Sequence, residues 1–222
     1  DYLDFKALNY DAKWLWAAGL RWTGELAIDR TESLNSYTDY NNYHVRNIRT
    51  VENQRFSANY WFHSSWAAVA GISRMSLSNE QAFLAESDYD ATGFNYGIRY
   101  RPASGNTLTL RAKHLEGNYS NREFNAVQQY DNGFTQDGYE LNLEWRLAGK
   151  TQLRGRLEYL NRQHAHFSAR DYDGWVGNLD LSYAPTCKST VNLGYRHSLE
   201  SFQQMLASYY VLDEINLSGK WA

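Results

Sequence analysis

Some polar side chains in this sequence are of types that could hold a metal ion. His164 and His166 are separated by one residue, and imidazole is a common zinc ligand. Two acidic pairs could hold calcium in a loop: Asp88 with Asp90, and Asp171 with Asp173. No Cys/His framework adds zinc ligands, and neither acidic pair has the ordered run of ligands of a calcium loop. We therefore expect surface loops and solvated turns here, and no metal.

Catalytic chemistry has no recognisable signature in the chain. The G-x-S-x-G motif does not occur, and Ser, His and Asp residues scattered along a sequence do not define an active site. We expect that the protein is not an enzyme and that it uses no cofactor.

A larger set of charged and amide side chains alternates with apolar residues along successive stretches of the chain. The set is Arg99, Arg101, Arg111, Lys113, Glu140, Asn142, Glu144, Arg154, Arg156, Glu158, Asn178, Asp180, Asn192 and Arg196. Guanidinium groups donate several hydrogen bonds to carboxylates and stay charged at any physiological pH. Such a set forms either a solvated face with ion pairs across strands or the lining of a wet pore, and both can hold at once.

The elements that carry this set are clearest in residues 138–159, GYELNLEWRLAGKTQLRGRLEY. Tyr139, Leu141 and Leu143 occupy one parity, and charged or amide residues occupy the other, which is the period of a strand with two different faces. The sequence turns at residues 148–150 and then repeats the pattern. A transmembrane β-barrel needs this alternation when its apolar row meets lipid and its charged row lines a wet interior.

About eleven stretches of the chain show the same alternation, and short turns and long polar connections join them in turn. The long connections fall at residues 33–49, 79–90, 117–135, after 161, and at 201–207, whereas the facing of the apolar strand 66–78 is ambiguous. The sequence predicts an all-β fold, an antiparallel up-and-down transmembrane β-barrel, with residues 1–222 as one domain. Bacterial single-chain barrels have even strand numbers. Eleven strands therefore indicate a portion of a larger porin-like barrel, or one miscounted strand.

Composition supports this class and excludes others. The mean hydropathy of −0.67 and the lack of an apolar run of eighteen residues exclude a transmembrane helix, but a barrel exposes only alternate residues to lipid. A net charge of −3 without a basic cluster gives no electrostatic footprint for nucleic acid. The first residues lack a signal peptide, so we expect a mature or trimmed form.

Aromatic residues and turns predict the orientation in a membrane. Seven aromatic residues near short turns are expected to form one interfacial girdle: Trp14, Trp16, Trp22, Trp61, Trp66, Trp145 and Tyr183. Short turns are expected on the periplasmic side, which places the single cysteine, Cys187, there. Five tyrosines of the long connections could stack on sugar rings or anchor at the interface: Tyr37, Tyr40, Tyr43, Tyr119 and Tyr130.

The sequence resembles the EpsL-type outer-membrane proteins of exopolysaccharide operons, a branch of the β-barrel porins. The segments that carry the resemblance are 33–37 (SLNSY), 46–50 (RNIRT), 83–89 (FLAESDY), 104–111 (SGNTLTLR) and 176–179 (VGNL). They are several ordered matches across most of the chain, and none of them is a catalytic signature. Cys187 departs from the family, whose turns tend to have glycine there.

The resemblance implies a bacterial outer-membrane porin through which a newly made exopolysaccharide leaves the cell. It also implies periplasmic polysaccharide-export proteins as partners, contact with outer-membrane lipid, and further strands before the present start. The fourteen charged and amide residues above would then line the pore. The alternative is a glycan-binding or structural β protein without transport activity.

Overall fold

The computed structural model of the chain describes residues 6–34, 46–127, 129–147, 149–204 and 207–221. It has eleven β-strands. Their bounds are β1 Tyr10–Ala18, β2 Trp22–Leu34, β3 Ile48–His63, β4 Trp66–Asn79, β5 Tyr89–Tyr100, β6 Thr107–Asn118, β7 Gly133–Leu147, β8 Thr151–Gln163, β9 Tyr172–Tyr183, β10 Ser189–Gln204 and β11 Ala207–Trp221. Two short 3-10 helices, Ala82–Ser87 and Ser168–Arg170, lie in connections. No helix in these ranges is long and apolar enough to cross a membrane.

The strands form one sheet in chain order, from β1 to β11, and each strand is antiparallel to the next. Within the described ranges, β1 and β11 are the outermost strands of the sheet. The prediction of an all-β, antiparallel, up-and-down fold with about eleven strands is therefore confirmed.

The connections give the sheet two different ends. Residues 19–21, 64–65, 101–106, 148–150 and 184–188 join strands at what we call the turn end. Gly105 and Gly149 have positive φ angles of 78° and 72°, a backbone conformation that suits glycine in a tight turn. The connections at 80–88, 119–132 and 164–171 lie at the opposite end, the loop end, where β2 also ends and β3 begins.

The last connection at the loop end is shorter than expected. The sequence predicted a link over residues 201–207, whereas β10 continues to Gln204 and β11 begins at Ala207. Strand pairing continues past the region of apolar and polar alternation, because backbone hydrogen bonds need no such alternation in water. The polar composition of this segment therefore did not mark a loop.

The two faces of the sheet have opposite polarity, and the register shows that each is continuous from strand to strand. Leu141 of β7 lies opposite Leu157 of β8, and Glu140 lies opposite Glu158. Leu141 is 37% exposed, whereas Glu140 is 6% and Glu158 0% exposed. We call the two sides the apolar face and the polar face. Exposed apolar side chains opposite buried charges invert the usual arrangement of a water-soluble protein.

The structure resolves the ambiguous facing of β4. Ala67, Val69 and Leu77 are buried on the polar side of the sheet, and Ile72 is 62% exposed on the apolar face. Small apolar residues therefore occupy both sides of this strand, which explains why its alternation was weak.

The apolar face carries aromatic residues near both of its ends. At the turn end, Trp22 contacts Tyr60 and Trp66 contacts Tyr100, with ring centroids 4.9 and 4.7 Å apart. A second row that the sequence analysis did not identify lies toward the loop end: Phe94, Tyr139, Tyr159, Trp175 and Tyr195. Two aromatic rows that flank an apolar band are typical of transmembrane barrels.

Trp61 does not belong to the turn-end girdle, contrary to the prediction. It shares the parity of the buried Asn59, and its Nε1 donates a hydrogen bond to Thr23 Oγ1 at 3.0 Å. Tyr60, on the apolar face, pairs with Trp22 instead. Closeness to a turn in the sequence does not determine which face a side chain occupies.

The height of the apolar band agrees with a membrane. The apolar row of β7 runs from Tyr139 to Leu147, which is roughly 26 Å along the strand and roughly 20 Å along the membrane normal at a tilt of about 40°. Beyond the band, charged residues replace apolar ones on the apolar face. On β2, for example, Arg30 forms ion pairs with Glu32 at 2.6 Å and with Glu52 at 2.9 Å.

The orientation prediction for Cys187 can be tested directly. Cys187 is exposed in the turn-end connection 184–188. We expect an impermeant maleimide to leave it unlabelled on intact cells and to label it after the outer membrane is permeabilised. Val127, 94% exposed in a loop-end connection, provides the control, because Val127→Cys in a Cys187→Ser background should label on intact cells. Ready labelling of Cys187 on intact cells would show that the orientation is the reverse of the predicted one.

Candidate functional site: the polar face

The structure brings all fourteen of the predicted charged and amide residues onto the polar face. The register places Arg111 opposite Glu140, Arg154 opposite Asp180, and Asn178 opposite both Arg156 and Arg196. They differ in environment. Six form a hydrogen-bonded group: Arg111, Lys113, Glu140, Asn142, Arg156 and Glu158. Another six are exposed and lie outside that group: Arg101, Glu144, Arg154, Asp180, Asn192 and Arg196.

Glu140 is the centre of the bonded group. Its carboxylate accepts hydrogen bonds from Arg111 Nη1 at 3.2 Å, Lys113 Nζ at 3.1 Å and Arg156 Nε at 2.8 Å. Asn142 Nδ2 adds a fourth at 2.5 Å. Both carboxylate oxygens are therefore saturated by donors from three strands, β6, β7 and β8. A buried carboxylate requires this compensation because removing its hydration is costly.

Glu158 completes the group on β8. It accepts a hydrogen bond from Arg156 Nη2, and its Oε1 lies 3.0 Å from Lys113 Nζ. Space for this carboxylate comes from Gly138 on β7, since a Cβ atom there would lie 2.7 Å from Glu158 Oε1. Three cations and two carboxylates lie in contact, so the group retains one net positive charge.

The remaining arginines near the turn end have other contacts. Arg99 Nε donates a hydrogen bond to Thr109 Oγ1 at 3.2 Å, and the Arg101 guanidinium lies 4.3 Å from the Trp61 ring centroid. Arg154 is exposed, two residues from Arg156 on the same face. The polar face thus combines a hydrogen-bonded charged group with charged side chains that lie outside it.

At the loop end, three connections pack against one another. Arg122 of the 119–132 connection donates from Nε to Glu86 O of the 80–88 connection at 2.9 Å. Its guanidinium lies 3.8 Å from the Tyr119 ring centroid and 5.0 Å from that of Tyr130. Arg170 of the 164–171 connection lies 4.9 Å from the Tyr130 ring. These contacts join neighbouring loops into one unit.

Tyr119 is not available to stack on a sugar ring. It is buried, and its ring centroid lies 5.6 Å from that of Phe134 and 5.9 Å from that of Tyr89. Tyr37, Tyr40 and Tyr43 lie outside the described residues. Phe134 and Tyr89 were missed by the sequence analysis, although Phe134 continues the parity of Glu140 along β7, a signal that extending the strand toward the loop would have revealed.

The two histidines considered as metal ligands each contact a carboxylate. His164 N and Nδ1 lie 2.7 and 3.2 Å from Asp171 Oδ1, and His166 N and Nδ1 lie 2.7 and 3.0 Å from Asp131. Burial lowers the pKa of His164, and the contact with Asp171 offsets only part of this effect. These contacts account for both imidazoles as parts of the loop structure.

Asp131 is the buried link between the 119–132 and 164–171 connections, and it is 0% exposed. Burial alone would raise its pKa, but hydrogen bonds from the His166 side chain and backbone outweigh burial, and the pKa lies below the usual 3.8. A carboxylate with a depressed pKa stabilises the fold above its usual pKa. The contribution is therefore present at neutral pH and is lost as the pH falls below 3.8.

We expect Asp131→Asn to loosen this link at neutral pH. Charged hydrogen bonds are worth more than neutral ones, so amide exchange in residues 119–132 should accelerate roughly tenfold. Asp137→Asn is the control, because Asp137 forms an exposed pair with His114 Nδ1 at 2.7 Å, and exposed pairs contribute little. Equal exchange in both variants would show that burial of Asp131 adds nothing.

Comparison with solved structures identifies the fold. CdiB from Escherichia coli aligns with a TM-score of 0.54 at 14% identity, over 97% of this chain and 47% of that one. The FrpB iron transporter from Neisseria meningitidis (F5-1 variant, apoprotein form) gives 0.46 at 14% identity, over 89% and 37%. A Pseudomonas aeruginosa FadL homologue gives 0.45 at 10% identity, over 92% and 64%. The chain spans about half the length of the CdiB chain.

Sequence comparison adds no family: no protein-family model and no curated protein matches the chain. The strand order, the inverted polarity and the alignment with CdiB together define the class. This chain has the fold of an outer-membrane β-barrel, an antiparallel up-and-down sheet.

Proposed function

We propose that this protein forms part of the wall of an outer-membrane conduit through which an exopolysaccharide leaves the cell. The observation that carries the proposal is the polarity of the sheet. Leu141 and Leu157 are exposed on one face, and Glu140 and Glu158 are buried in a charged network on the other. A sheet of this kind is stable where the apolar face meets lipid and the polar face meets a wet interior.

A hydroxylated or acidic polymer fits the chemistry of the polar face. Exposed guanidinium groups, such as those of Arg154 and Arg196, donate hydrogen bonds to carboxylates and hydroxyls. Nearby acids, including Asp180 opposite Arg154, would keep each contact weak, and a conduit must release its cargo. The resemblance to EpsL-type proteins supports an exopolysaccharide as this polymer.

The proposal includes location and partners. Short turns of outer-membrane barrels face the periplasm. The turn end would therefore receive the polymer from periplasmic polysaccharide-export proteins, and the interlocked loops would lie outside the cell. The apolar face would contact outer-membrane lipid, and nucleic acid is not among the proposed partners.

The edges of the sheet support the proposal of a larger barrel. An unpaired strand edge is not stable against hydrocarbon, because its N–H and C=O groups find no partner there. β1 and β11 each have one neighbour among the described strands. We propose that residues 1–222 belong to one barrel domain in which β1 and β11 pair with further strands.

Conductance in a planar bilayer tests the conduit. Arg111 and Arg156 are unsuitable for this test, because they hold the buried carboxylates and their loss would disturb folding. Arg101→Gln with Arg154→Gln removes two charges outside that group. A unit charge about 7 Å from a passing ion in water is worth about 0.6 kcal/mol, and a cation gains what an anion loses, so each removed charge should raise the cation-to-anion permeability ratio up to roughly eightfold before salt screening.

Arg74→Gln is the matched control for selectivity. Arg74 is an exposed arginine on the parity of the apolar face, ion-paired with Asp90 at 3.4 Å. Its replacement should leave the permeability ratio unchanged. Equal shifts in both variants would mean that the polar face does not border the ion path.

The second candidate function is a glycan-binding or structural β protein without transport. The packing of the 80–88, 119–132 and 164–171 connections favours it, because loops joined by Arg122 and Asp131 could close the loop end. Stable insertion into bilayers without ionic current would support this candidate over the conduit.

A further inference from the structure

A cavity of about 620 Å³ lies against the polar face between β8 and β11. Its charged and amide lining includes Arg156, Arg162, Asn178, Asp180, Arg196 and Glu214. Its apolar lining includes Leu160, Val176 and Leu199. The volume falls in the range of small-molecule sites, about 300–1,000 Å³. We call this cavity the β8–β11 hollow.

Gly194 opens the hollow in an otherwise continuous row of side chains. Its neighbours on the polar face of β10 are Asn192 and Arg196, and it lies opposite Asp180 on β9 and Asn216 on β11. A Cβ atom at Gly194 would lie 3.2 Å from Asp180 Oδ1 and 3.8 Å from Asn216 Cβ. Any side chain there would project into the space that the hollow now occupies.

The hollow has an apolar side and a charged side. Leu160 and Val176 are buried in a cluster with Tyr172, and Leu199 packs against that cluster. On the charged side, Arg196 lies opposite Glu214 and Asn178. In the lining, Arg162 and Arg196 balance Asp180 and Glu214 in charge, and Arg156 belongs to the group around Glu140 that retains one net positive charge, so the lining remains positive overall.

This pattern matches one class of ligand. A pyranose ring has an apolar C–H surface and a rim of hydroxyls, and a uronic acid adds a carboxylate at one edge. The apolar side fits the C–H surface, the amides of Asn178 and Asn216 fit hydroxyls, and a guanidinium fits a carboxylate. A neutral sugar would leave the excess positive charge unmatched.

We propose that the β8–β11 hollow is a binding subsite for an acidic sugar of the uronic acid class, with the sugar carboxylate at Arg196 and the ring against Leu160 and Val176. The subsite deepens the proposed conduit function by naming a resting position for the polymer inside the barrel and its chemical class.

Calorimetric titration of the purified full-length protein in detergent tests the subsite. The probes are trigalacturonate and the neutral maltotriose at equal ionic strength. Trigalacturonate should bind at least about tenfold more tightly than maltotriose, and Arg196→Gln should weaken its binding about tenfold or more, because a charged hydrogen bond is lost. Gly194→Leu should weaken trigalacturonate binding about tenfold or more, because its side chain projects into the hollow beside Asp180 and Asn216. If Gly194→Leu does not fold, Arg196→Gln decides the outcome.

Arg55→Gln is the matched control, since Arg55 is on the polar parity of β3, five strands from β8, and pairs with Asp29 at 3.2 Å. Unchanged affinity is expected. The subsite is overturned if wild-type protein binds neither probe, if Arg55→Gln weakens binding as much as Arg196→Gln, or if Gly194→Leu binds normally. A protein that conducts but does not bind keeps the conduit and loses the subsite. One that binds as described but carries no current keeps the subsite and loses the conduit.

Discussion

Replacing Arg156 by methionine is expected to lower the free energy of unfolding by about 2 to 3 kcal/mol. Arg156 donates to both Glu140 and Glu158, and these carboxylates are among the most buried charged groups of the described sheet. Removing one partner of a buried ion pair leaves an uncompensated charge. Lys113 and Arg111 still contact the carboxylates, and Arg156 is itself partly exposed, so the loss should fall at or below the lower end of the usual range.

Arg154→Met is the matched control, because Arg154 lies two residues away on the same strand and face but takes no part in the ion pairs with Glu140 and Glu158. Its replacement should change the free energy of unfolding by less than about 0.5 kcal/mol. The measurement is urea unfolding of the protein inserted in lipid vesicles. Equal losses in the two variants would mean that the network around Glu140 and Glu158 does not stabilise the sheet.

The second large effect is expected on the other face. Leu193→Arg should destabilise the inserted protein by about 2 kcal/mol or more, because a charged side chain in the hydrocarbon region of a barrel costs about 2–4 kcal/mol at the midplane. Leu193 is exposed on the apolar face, between Leu181 of β9 and Leu217 of β11. It lies between Val191 and Tyr195 in the apolar row of β10, away from the charged residues at the loop end.

Asn192→Arg is the matched control, because it introduces the same side chain at the adjacent position on the other face of β10. Asn192 is on the polar face, between Ser182 and Ser218, where an added arginine meets polar neighbours. Its effect on vesicle-inserted protein, measured by the same unfolding experiment, should stay within about 0.5 kcal/mol. A reversed order of the two variants would assign lipid to the polar face.

Period-2 alternation made much of the fold predictable from the sequence. In a transmembrane barrel, every strand alternates apolar residues toward lipid with polar residues toward the interior. The side chains of Leu141 and Glu140 therefore indicate their faces without knowledge of the neighbouring strands. The same rule put all fourteen candidate residues on one face. It could not separate the bonded group around Glu140 from exposed residues such as Arg154, because that difference depends on which strands bring Lys113 and Arg156 together.

Most features that could not be predicted from the sequence lie at the loop end, beyond the apolar band. Strands continue past the apolar band, so the segment around Gln204 was assigned to a connection although it pairs with β11. At the loop end, the contact of Asp131 with His166 joins two different connections. The contact of Arg122 with Tyr119 lies within one irregular connection. No local period marks such contacts. Trp61 shows that residue type is a weaker guide to facing than strand parity.

In the proposed arrangement, one face of this sheet meets lipid and the other meets water. Nitroxide labels at Leu193→Cys and Asn192→Cys, each in a Cys187→Ser background in lipid bilayers, test it most directly. Collision with oxygen, which concentrates in the bilayer, should dominate at position 193, and collision with a water-soluble nickel complex should dominate at position 192. Equal accessibility to both reagents at the two adjacent positions, or the reverse preference, would contradict the account.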